Sequence, residues 1–374
     1  MRILHVTDTF LPRVGGIELH VADLAARQRA AGHEVLVLTG EPMLADGSAE
    51  PGVPVARVEL GITGAGAGVA VGPVIAGFQP DVLHAHLTVG SPFTWAVLRS
   101  TKGVPAMASV HSLLPAVPRL LRTGIGLIGL PTSRMSFTGV SEVAAARLRP
   151  ALPPGVPVRV LHNGIDPSAW QVRHVPTGEF SILSVGRLAP RKRPLVLVEA
   201  LARLASLVPD LSWRATFVGD GPQRRAVAKA VRAHGLQDRV TLVGAQSRDE
   251  IRRHLAGADV LVAPATLESF GIAALEARCA GVPIVGMAAS GVTEFVTDGV
   301  EGLLADSDDD LARCLARLAA DPELRTTIRH HNVTTPVAMT WERVLAEHDA
   351  VYRSVLEPVV VRAMGKRRPT PRLA

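Results

Sequence analysis

The stretch "RILHVT" (residues 2–7) leads through the glycine pair Gly15-Gly16 into the helical run "IELHVADLAARQRAAG" (17–32). An apolar strand that passes through a glycine turn into a helix is typical of α/β proteins. Strand-like runs follow at 34–39, 81–86, 104–110 and 137–141, with a helix near 91–101. This alternation predicts a doubly wound parallel sheet in the first half of the chain.

The same order of elements restarts after the Pro/Gly-rich segment 150–170. Strands are predicted at 180–186, 213–219, 239–244, 258–264 and 282–287, with helices near 194–207, 222–234, 247–256 and 271–281. Two α/β units joined near residue 165 imply a cleft between them, a favoured place for a ligand. We predict domains at 1–165 and 166–337, a helix at about 338–356 that could pack on either half, and a basic tail at 357–374.

Composition limits the class of protein. Hydrophobic residues make up 47% and charged residues 20%, which is typical of a soluble globular chain. The two cysteines, Cys279 and Cys314, form no CxxC pattern, which argues against a disulfide framework or a structural zinc site. The N-terminal residues contain no signal-peptide cleavage region, and no apolar run reaches transmembrane length. We therefore expect a cytoplasmic protein.

The net charge of +6 is unevenly placed. Residues 357–374 contain five Lys/Arg and one acid, a net charge of +4, which leaves +2 for the rest of the chain. A charge concentrated in a short tail argues against a nucleic-acid-binding surface.

Glycines, charged residues and one phenylalanine follow several predicted strands, at the sheet edges that face the cleft. They are Gly15, Gly16, Gly186, Arg187, Lys192, Gly219, Glu268, Phe270, Gly271 and Glu276. Glycines at such an edge let backbone amides approach an anion beside a helix N-terminus, and cations there can neutralise phosphate. The two glutamates can accept hydrogen bonds from hydroxyl groups. One extended ligand that carries a sugar, a diphosphate and a ribose would account for this arrangement.

Each of these features also has an ordinary structural interpretation. The glycines can serve as tight turns, the basic residues as a solvated loop, and the glutamates as partners of a helix dipole. We interpret "GITGAGAGVAVG" (61–72) as a flexible loop, and "DSDDD" (306–310) as loop and N-cap acids. We expect His84 and His86 to shape the edge of the sheet.

Eight stretches occur in the order found in glycosyltransferase family 4, the retaining nucleotide-sugar transferases of GT-B fold. They are "PRVGGIELHV" (12–21), "DVLHAH" (81–86), "GVSE" (139–142), "LHNGID" (161–166), "SVGRLAPRK" (184–192), "VGDGP" (218–222), "LESFGIAALEARCAGVPIV" (267–285) and "GVTEFVTDGVEGLL" (291–304). The chain resembles this family over nearly its whole length. The resemblance implies two Rossmann-like domains that face a central cleft.

The resemblance also implies roles for individual residues. Gly16 would approach the donor diphosphate, Arg187 and Lys192 would neutralise it, and Glu276 would hold the ribose. Glu268, with backbone amides near Phe270 and Gly271, would orient the donor sugar. His111, in "SVHS" (109–112), matches the histidine near the transferred sugar and the leaving phosphate. The family generally needs no metal or other cofactor, and substitution at the front face of the sugar would retain its configuration.

The resemblance leaves the donor open among GDP-mannose and several UDP-sugars, and the acceptor open among lipid-linked and glycan hydroxyls. Two alternatives remain, a GT-B nucleotide-sugar epimerase and a non-catalytic nucleotide-sugar binder. The apolar segment 112–131 and the basic stretch "KRRPTPR" (366–372) could also hold the protein at an anionic membrane surface. The alternative is that 112–131 packs against the sheet and the tail is soluble.

Overall fold

The first half of the chain forms one parallel sheet. A computed structural model describes residues 1–13, 15–42, 52–58, 67–101, 103–115, 122–123 and 135–357. Within these residues the first sheet has seven strands in the order β3-β2-β1-β4-β5-β6-β7. They are β1 (Arg2–Thr7), β2 (Glu34–Thr39), β3 (Val55–Arg57), β4 (Val82–Leu87), β5 (Ala106–Val110), β6 (Met135–Gly139) and β7 (Val158–Val160). The helices beside it are α1 (Gly16–Ala30), α2 (Ala67–Phe78), α3 (Pro92–Ser100) and α4 (Glu142–Leu148).

The second half forms another parallel sheet. Its described strands follow the order β10-β9-β8-β11-β12-β13. They are β8 (Phe180–Val185), β9 (Trp213–Val218), β10 (Val240–Gly244), β11 (Val260–Ala263), β12 (Ile284–Met287) and β13 (Gly302–Ala305). The helices are α5 (Pro167–Trp170), α6 (Pro194–Leu207), α7 (Arg224–Ala233), α8 (Arg248–Gly257), α9 (Ile272–Cys279), α10 (Asp308–Ala320), α11 (Pro322–Thr334) and α12 (Trp341–Leu356). The predicted fold class, two doubly wound parallel sheets, is confirmed.

Both sheets reverse their strand order beside the first strand of each half. β1 lies between β2 and β4, and β8 lies between β9 and β11. In a doubly wound sheet such a reversal opens a crevice at the carboxyl ends of the strands. Gly15-Gly16 follow β1 and Arg187 follows β8, so both groups lie at these crevices.

Alternate residues of the central strands pack on opposite faces of the first sheet. Ile3, Val82 and Met107 belong to a core that includes Val21 of α1 and Val351 of α12. Leu4, Leu83 and Phe137 belong to a second core that includes Phe93 and Val97 of α3. This alternation follows from the two-residue period of a strand.

The last helix returns to the first half of the chain. α12 packs against β4, β5 and β6, and Tyr352 is fully buried there. The residues just before α12 pair with the segment that links the two halves, because Ile165 forms a parallel β-bridge with Thr340. Gly164 is needed at this crossing, since a Cβ there would lie 2.4 Å from the Trp341 ring.

Two sequence interpretations change or fall outside the description. The segment 61–72 is not wholly a loop, because α2 begins at Ala67; residues 61–66 are outside the described part. Of the apolar segment 112–131, only 112–115 and 122–123 are described, and the tail beyond Glu357 is not. Among the helices in the described ranges, none combines the length and apolar content needed to cross a bilayer.

Candidate active site

Two helix N-termini face each other across the cleft. α1 begins at Gly16 and α9 begins at Ile272, and neither helix has a side-chain cap. A Cβ at Gly16 would lie 3.6 Å from Cδ1 of Ile272, so the two helix starts are close. The first N–H groups of a helix lack internal partners and carry partial positive charge. The cleft therefore has the geometry of an anion site between the two halves.

The backbone at the start of α9 requires a glycine. Gly271 has φ of +95°, a conformation that side-chain-bearing residues rarely adopt. A Cβ at Gly15 would lie 2.4 Å from Oε2 of Glu18, a buried carboxylate in the first turn of α1. The positive φ therefore accounts for the glycine at 271, whereas Glu18 is a flexible side chain that could move away from a Cβ at position 15.

Lys192 and Glu268 form an ion pair at the cleft. The Lys192 ammonium contacts Oε2 of Glu268, and the Glu268 side chain is 12% exposed. Burial by itself disfavours the Glu268 charge, but the ammonium and the Phe270 N–H hold its pKa below the ordinary value. Glu268 is therefore a charged hydrogen-bond acceptor, and one of its two carboxylate oxygens, Oε2, already contacts Lys192.

Arg187 differs from Lys192 because it is exposed and its guanidinium has no partner among the described residues. It lies in the loop after β8, which packs tightly on the loop after β9. A Cβ at Gly219 would lie 2.0 Å from the Gly186 carbonyl oxygen, and a Cβ at Gly221 would lie 2.5 Å from that of Leu188. Gly219 is thus required for the approach of the two loops, and Arg187 is left as a cation available to a ligand.

Glu276 lies in the second turn of α9, beside an ion pair that joins the two halves. Arg248 of α8 donates to both carboxylate oxygens of Asp23 on α1, at 3.3 and 2.6 Å. Burial raises the pKa of Glu276 to about 8; the Arg248 charge opposes this shift and the Asp23 charge adds to it. In the free protein at pH 7 the Glu276 carboxyl is therefore mostly protonated.

His111 follows β5 at the cleft and is 5% exposed. Its carbonyl oxygen accepts a hydrogen bond of 2.5 Å from the Ser269 hydroxyl, which comes from the other half. Its Nε2 lies 2.9 Å from Nδ1 of His86. Burial, with a smaller contribution from His348, lowers the pKa of His111 to about 4, so the ring is neutral at pH 7.

Some predicted site residues are thus brought together. Lys192, Glu268, Phe270 and Gly271 form one group, and Ser269 connects that group to His111. Gly186, Arg187 and Gly219 form a second group in the adjoining loops. Glu276 lies one helical turn further along α9.

The sequence did not reveal the residues that connect the halves. Besides Asp23, Arg248 and Ser269, Glu294 accepts from the Glu142 N–H at 2.5 Å and lies 2.8 Å from Nε2 of His162. Glu142, His162 and Glu294 all lie within quoted motifs, but nothing in the motifs states their pairing. His84 and His86 are both buried in β4, and His86, next to the carboxyl end of that strand, contacts His111.

The acidic stretch 306–310 agrees with its interpretation as loop and N-cap acids. Ser307 caps α10 by accepting from the Asp310 N–H. Asp308 in the first turn accepts from the Arg193 guanidinium at 2.8 and 2.6 Å. These contacts explain the acids as structural partners of the helix.

Family comparisons match both halves of the chain. A family model described as "Glycosyltransferase Family 4" matches residues 14–169, and one described as "Glycosyl transferases group 1" matches residues 169–332. A D-inositol 3-phosphate glycosyltransferase of Streptosporangium roseum is 27% identical, covering 91% of this chain and 89% of that protein. The corresponding protein of Arthrobacter sp. is 29% identical, covering 71% and 68%.

Solved structures share the fold. Anabaena Alr3699/HepE, in complex with UDP and glucose, is 20% identical with a TM-score of 0.78, covering 95% of this chain and all of that one. WaaG, a glycosyltransferase involved in lipopolysaccharide biosynthesis, is 18% identical with a TM-score of 0.71, covering 94% and 99%.

Proposed function

The chain belongs to glycosyltransferase family 4, and from that premise we propose that it moves a hexose or N-acetylhexosamine from a nucleotide-diphosphate sugar to a hydroxyl group, with retention of configuration. The observation that carries this proposal is the pair of uncapped helix starts at Gly16 and Ile272, which lie close across the cleft. A diphosphate would satisfy their free N–H groups, and Arg187 would neutralise it from the adjoining loop.

The roles of the remaining residues follow from their positions. Glu268 would accept hydrogen bonds from the donor sugar. The Lys192 ammonium would contact the phosphate and also keep Glu268 charged. Glu276, deeper in α9, would accept hydrogen bonds from the ribose. His111 would lie beside the transferred sugar, since Ser269 ties its backbone to the loop that carries Glu268.

The reaction would break the bond between C1 of the sugar and the phosphate oxygen, with the electron pair leaving on that oxygen. The acceptor oxygen would bond to C1 on the same face, and its proton would pass to the leaving phosphate. The helix N–H groups and Arg187 would stabilise the negative charge that develops there. Engagement of Glu268 by Lys192 and the Phe270 N–H supports this front-face course over covalent attack by Glu268.

Two classes of acceptor have support. The names of the relatives favour a phosphorylated polyol, since they are called D-inositol 3-phosphate glycosyltransferases. The apolar segment 112–131 and the basic tail favour a lipid-linked or glycan acceptor at a membrane surface, in a protein that is otherwise cytoplasmic. Cosedimentation with anionic and neutral vesicles distinguishes the two acceptor classes. Absence of binding to anionic vesicles at low salt would exclude attachment to a membrane surface.

A screen of nucleotide sugars tests the proposed function directly. GDP-mannose, UDP-glucose, UDP-N-acetylglucosamine and UDP-galactose are compared for thermal stabilisation and for hydrolysis. A true donor at a hundredfold excess over Kd should stabilise the protein by about 2.7 kcal/mol. The true donor should then give a product with D-inositol 3-phosphate or a lipid-linked acceptor, with the α or β configuration of the donor kept. No stabilisation by any nucleotide sugar would refute the proposal.

A further inference from the structure

Beneath His111 a chain of buried polar side chains crosses the core of the first half. Nε2 of His111 lies 2.9 Å from Nδ1 of His86, and Nε2 of His86 lies 2.9 Å from Nδ1 of His5. Nε2 of His5 lies 2.7 Å from Oε1 of Gln28, whose amide nitrogen donates to the Tyr352 hydroxyl at 2.9 Å. We call these five residues the buried histidine chain.

The hydrogen bonds continue from Tyr352 across three neighbouring strands. The Tyr352 hydroxyl lies 2.8 Å from Nδ1 of His84, and Nε2 of His84 lies 2.8 Å from the Ser109 hydroxyl. The Ser109 hydroxyl in turn lies 2.8 Å from that of Thr138. The side chains of the network come from four strands, the loop after β5 and two helices, so the network is a product of the tertiary structure.

The orientation of Gln28 assigns the protons along the chain. Its amide nitrogen faces Tyr352, so its oxygen faces His5 and must accept from the His5 Nε2–H. Burial lowers the pKa of His5 to about 4 and that of His86 well below its ordinary value. A neutral imidazole has one donor nitrogen and one acceptor nitrogen. His5 Nδ1 must then accept from His86 Nε2–H, and His86 Nδ1 must accept from His111 Nε2–H.

This order leaves Nδ1 of His111 as an unprotonated nitrogen, and that atom has no hydrogen-bond partner among the described residues. His111 is the chain member at the cleft, where Ser269 of the other half contacts its carbonyl oxygen. A neutral imidazole with a free Nδ1 accepts a hydrogen bond and cannot donate one to a phosphate oxygen.

We propose that His86, His5 and Gln28 are positioning residues that hold His111 as the Nε2–H tautomer, so that it meets a hydroxyl of the bound sugar as a hydrogen-bond acceptor. The inference deepens the proposed function and rests on it for the identity of the sugar. It changes the expected role of His111: the leaving phosphate is stabilised by the helix N–H groups and Arg187, and His111 orients the sugar.

A metal site is the competing interpretation of the same cluster. Ligand atoms of His5, His84 and His86 lie within 4.8 Å of one another. Both ring nitrogens of each of the three histidines already have a hydrogen-bond partner among the described residues. A cation would have to displace those partners, so the hydrogen-bonded chain accounts for the cluster more completely.

Nitrogen NMR of histidine-labelled protein tests the assignment without any nucleotide or substitution. Protonated and unprotonated ring nitrogens have well-separated shifts, and coupling across an N–H···N bond identifies the donor. We expect a proton on Nε2 of His111, coupled to Nδ1 of His86. A proton on Nδ1 of His111 would overturn the proposal. Failure of every nucleotide sugar to bind would refute the proposed function and leave this result standing.

Gln28→Lys and Gln28→Met form a matched pair that tests positioning. An ammonium at position 28 offers only donors, so it should reverse the proton order and protonate Nδ1 of His111. The Met variant removes the polar group and imposes neither order. In the Lys variant kcat should fall about three- to tenfold below the Met variant, the value of one hydrogen bond. Affinity for the free nucleoside diphosphate should agree within about twofold, because that ligand has no sugar to orient. Equal kcat values and an unchanged His111 tautomer in both would overturn the positioning role.

Discussion

The raised pKa of Glu276 makes donor affinity depend on pH in a predictable direction. In the free protein burial holds this pKa at about 8, so the carboxyl group is mostly protonated at pH 7. A ribose bound through two accepted hydrogen bonds needs the charged form, and the proton must leave before or during binding. Each pH unit below 8 therefore costs about 1.4 kcal/mol, or about tenfold in affinity. Donor affinity should rise steeply from pH 6 towards 8 and level off above it.

The Glu276→Gln variant separates this effect from other titrating groups. The neutral amide should remove the pH slope and weaken binding by about 1.5–3 kcal/mol above pH 8. At pH 7 the loss should be smaller by about 1.4 kcal/mol, because the wild-type protein must first ionise Glu276. Calorimetric titration with the nucleotide sugar found by the screen, at several pH values from 6 to 8.5, measures both quantities.

The matched control is Asp249→Asn, which neutralises a highly exposed carboxylate on the neighbouring helix α8. It should leave both the affinity and the pH slope unchanged. Equal slopes in the wild-type and Gln proteins, or an affinity that is flat across the range, would refute the assignment of Glu276 to the ribose.

Four further outcomes are expected. Arg187→Ala should weaken the binding of the free nucleoside diphosphate and of the nucleotide sugar equally, by about 1.5–3 kcal/mol in calorimetry. The control Arg225→Ala, at an exposed arginine, should leave both affinities unchanged. A normal affinity in the Arg187 variant would mean that the diphosphate binds elsewhere. Lys192→Met should lower the free energy of unfolding, measured in urea, by about 3–5 kcal/mol, because it leaves the buried Glu268 charge without its partner. Adding Glu268→Gln should restore most of the lost stability, and additive losses in the double variant would contradict the pairing. His111→Ala should weaken the nucleotide sugar and lower kcat but leave the affinity for the free nucleoside diphosphate unchanged, because His111 contacts the sugar; an equal loss of affinity for both ligands would contradict that contact. The pKa values of His5 and His111 are depressed in the folded protein, so the unfolded chain takes up protons first as the pH falls. The free energy of unfolding should therefore decrease as the pH is lowered from 6.5 to about 4, by about 1.4 kcal/mol per pH unit for each histidine. A constant free energy of unfolding between pH 7 and 5 would refute their burial as neutral rings.

The sequence predicts the central strands well and misses three short strands at or near the sides of the sheets. β1 is found at residues 2–7 and β9 at 213–218, close to the prediction, because their apolar runs are long enough to stand out. β3, β7 and β13 have only three or four residues each, too few to establish a period. Their existence depends on pairing with a neighbour that is distant in sequence.

The site shows the same division between local and distant information. The positions of Gly16, Arg187 and Glu276 follow from the strands and helices that precede them. Their surroundings do not: the Asp23–Arg248 pair beside Glu276 joins residues 225 positions apart, and no local pattern predicts it. The burial of the histidines at 84 and 86 depends on partners distant in sequence, Tyr352 for His84 and His5 for His86, and no local pattern predicts those contacts.

The return of α12 to the first sheet also has a consequence for the order of synthesis. Gln28 and its partner Tyr352 are 324 positions apart, and Tyr352 lies near the C-terminal end of the described chain. Domains generally fold as units as they leave the ribosome, the N-terminal one first. Here the half that is translated first lacks its covering helix until residues 341–356 have been made, so its histidines stay open to water while the second half is made. We expect the second half to complete its core earlier, and nascent chains stalled before residue 341 to hold a first half that proteases still cleave.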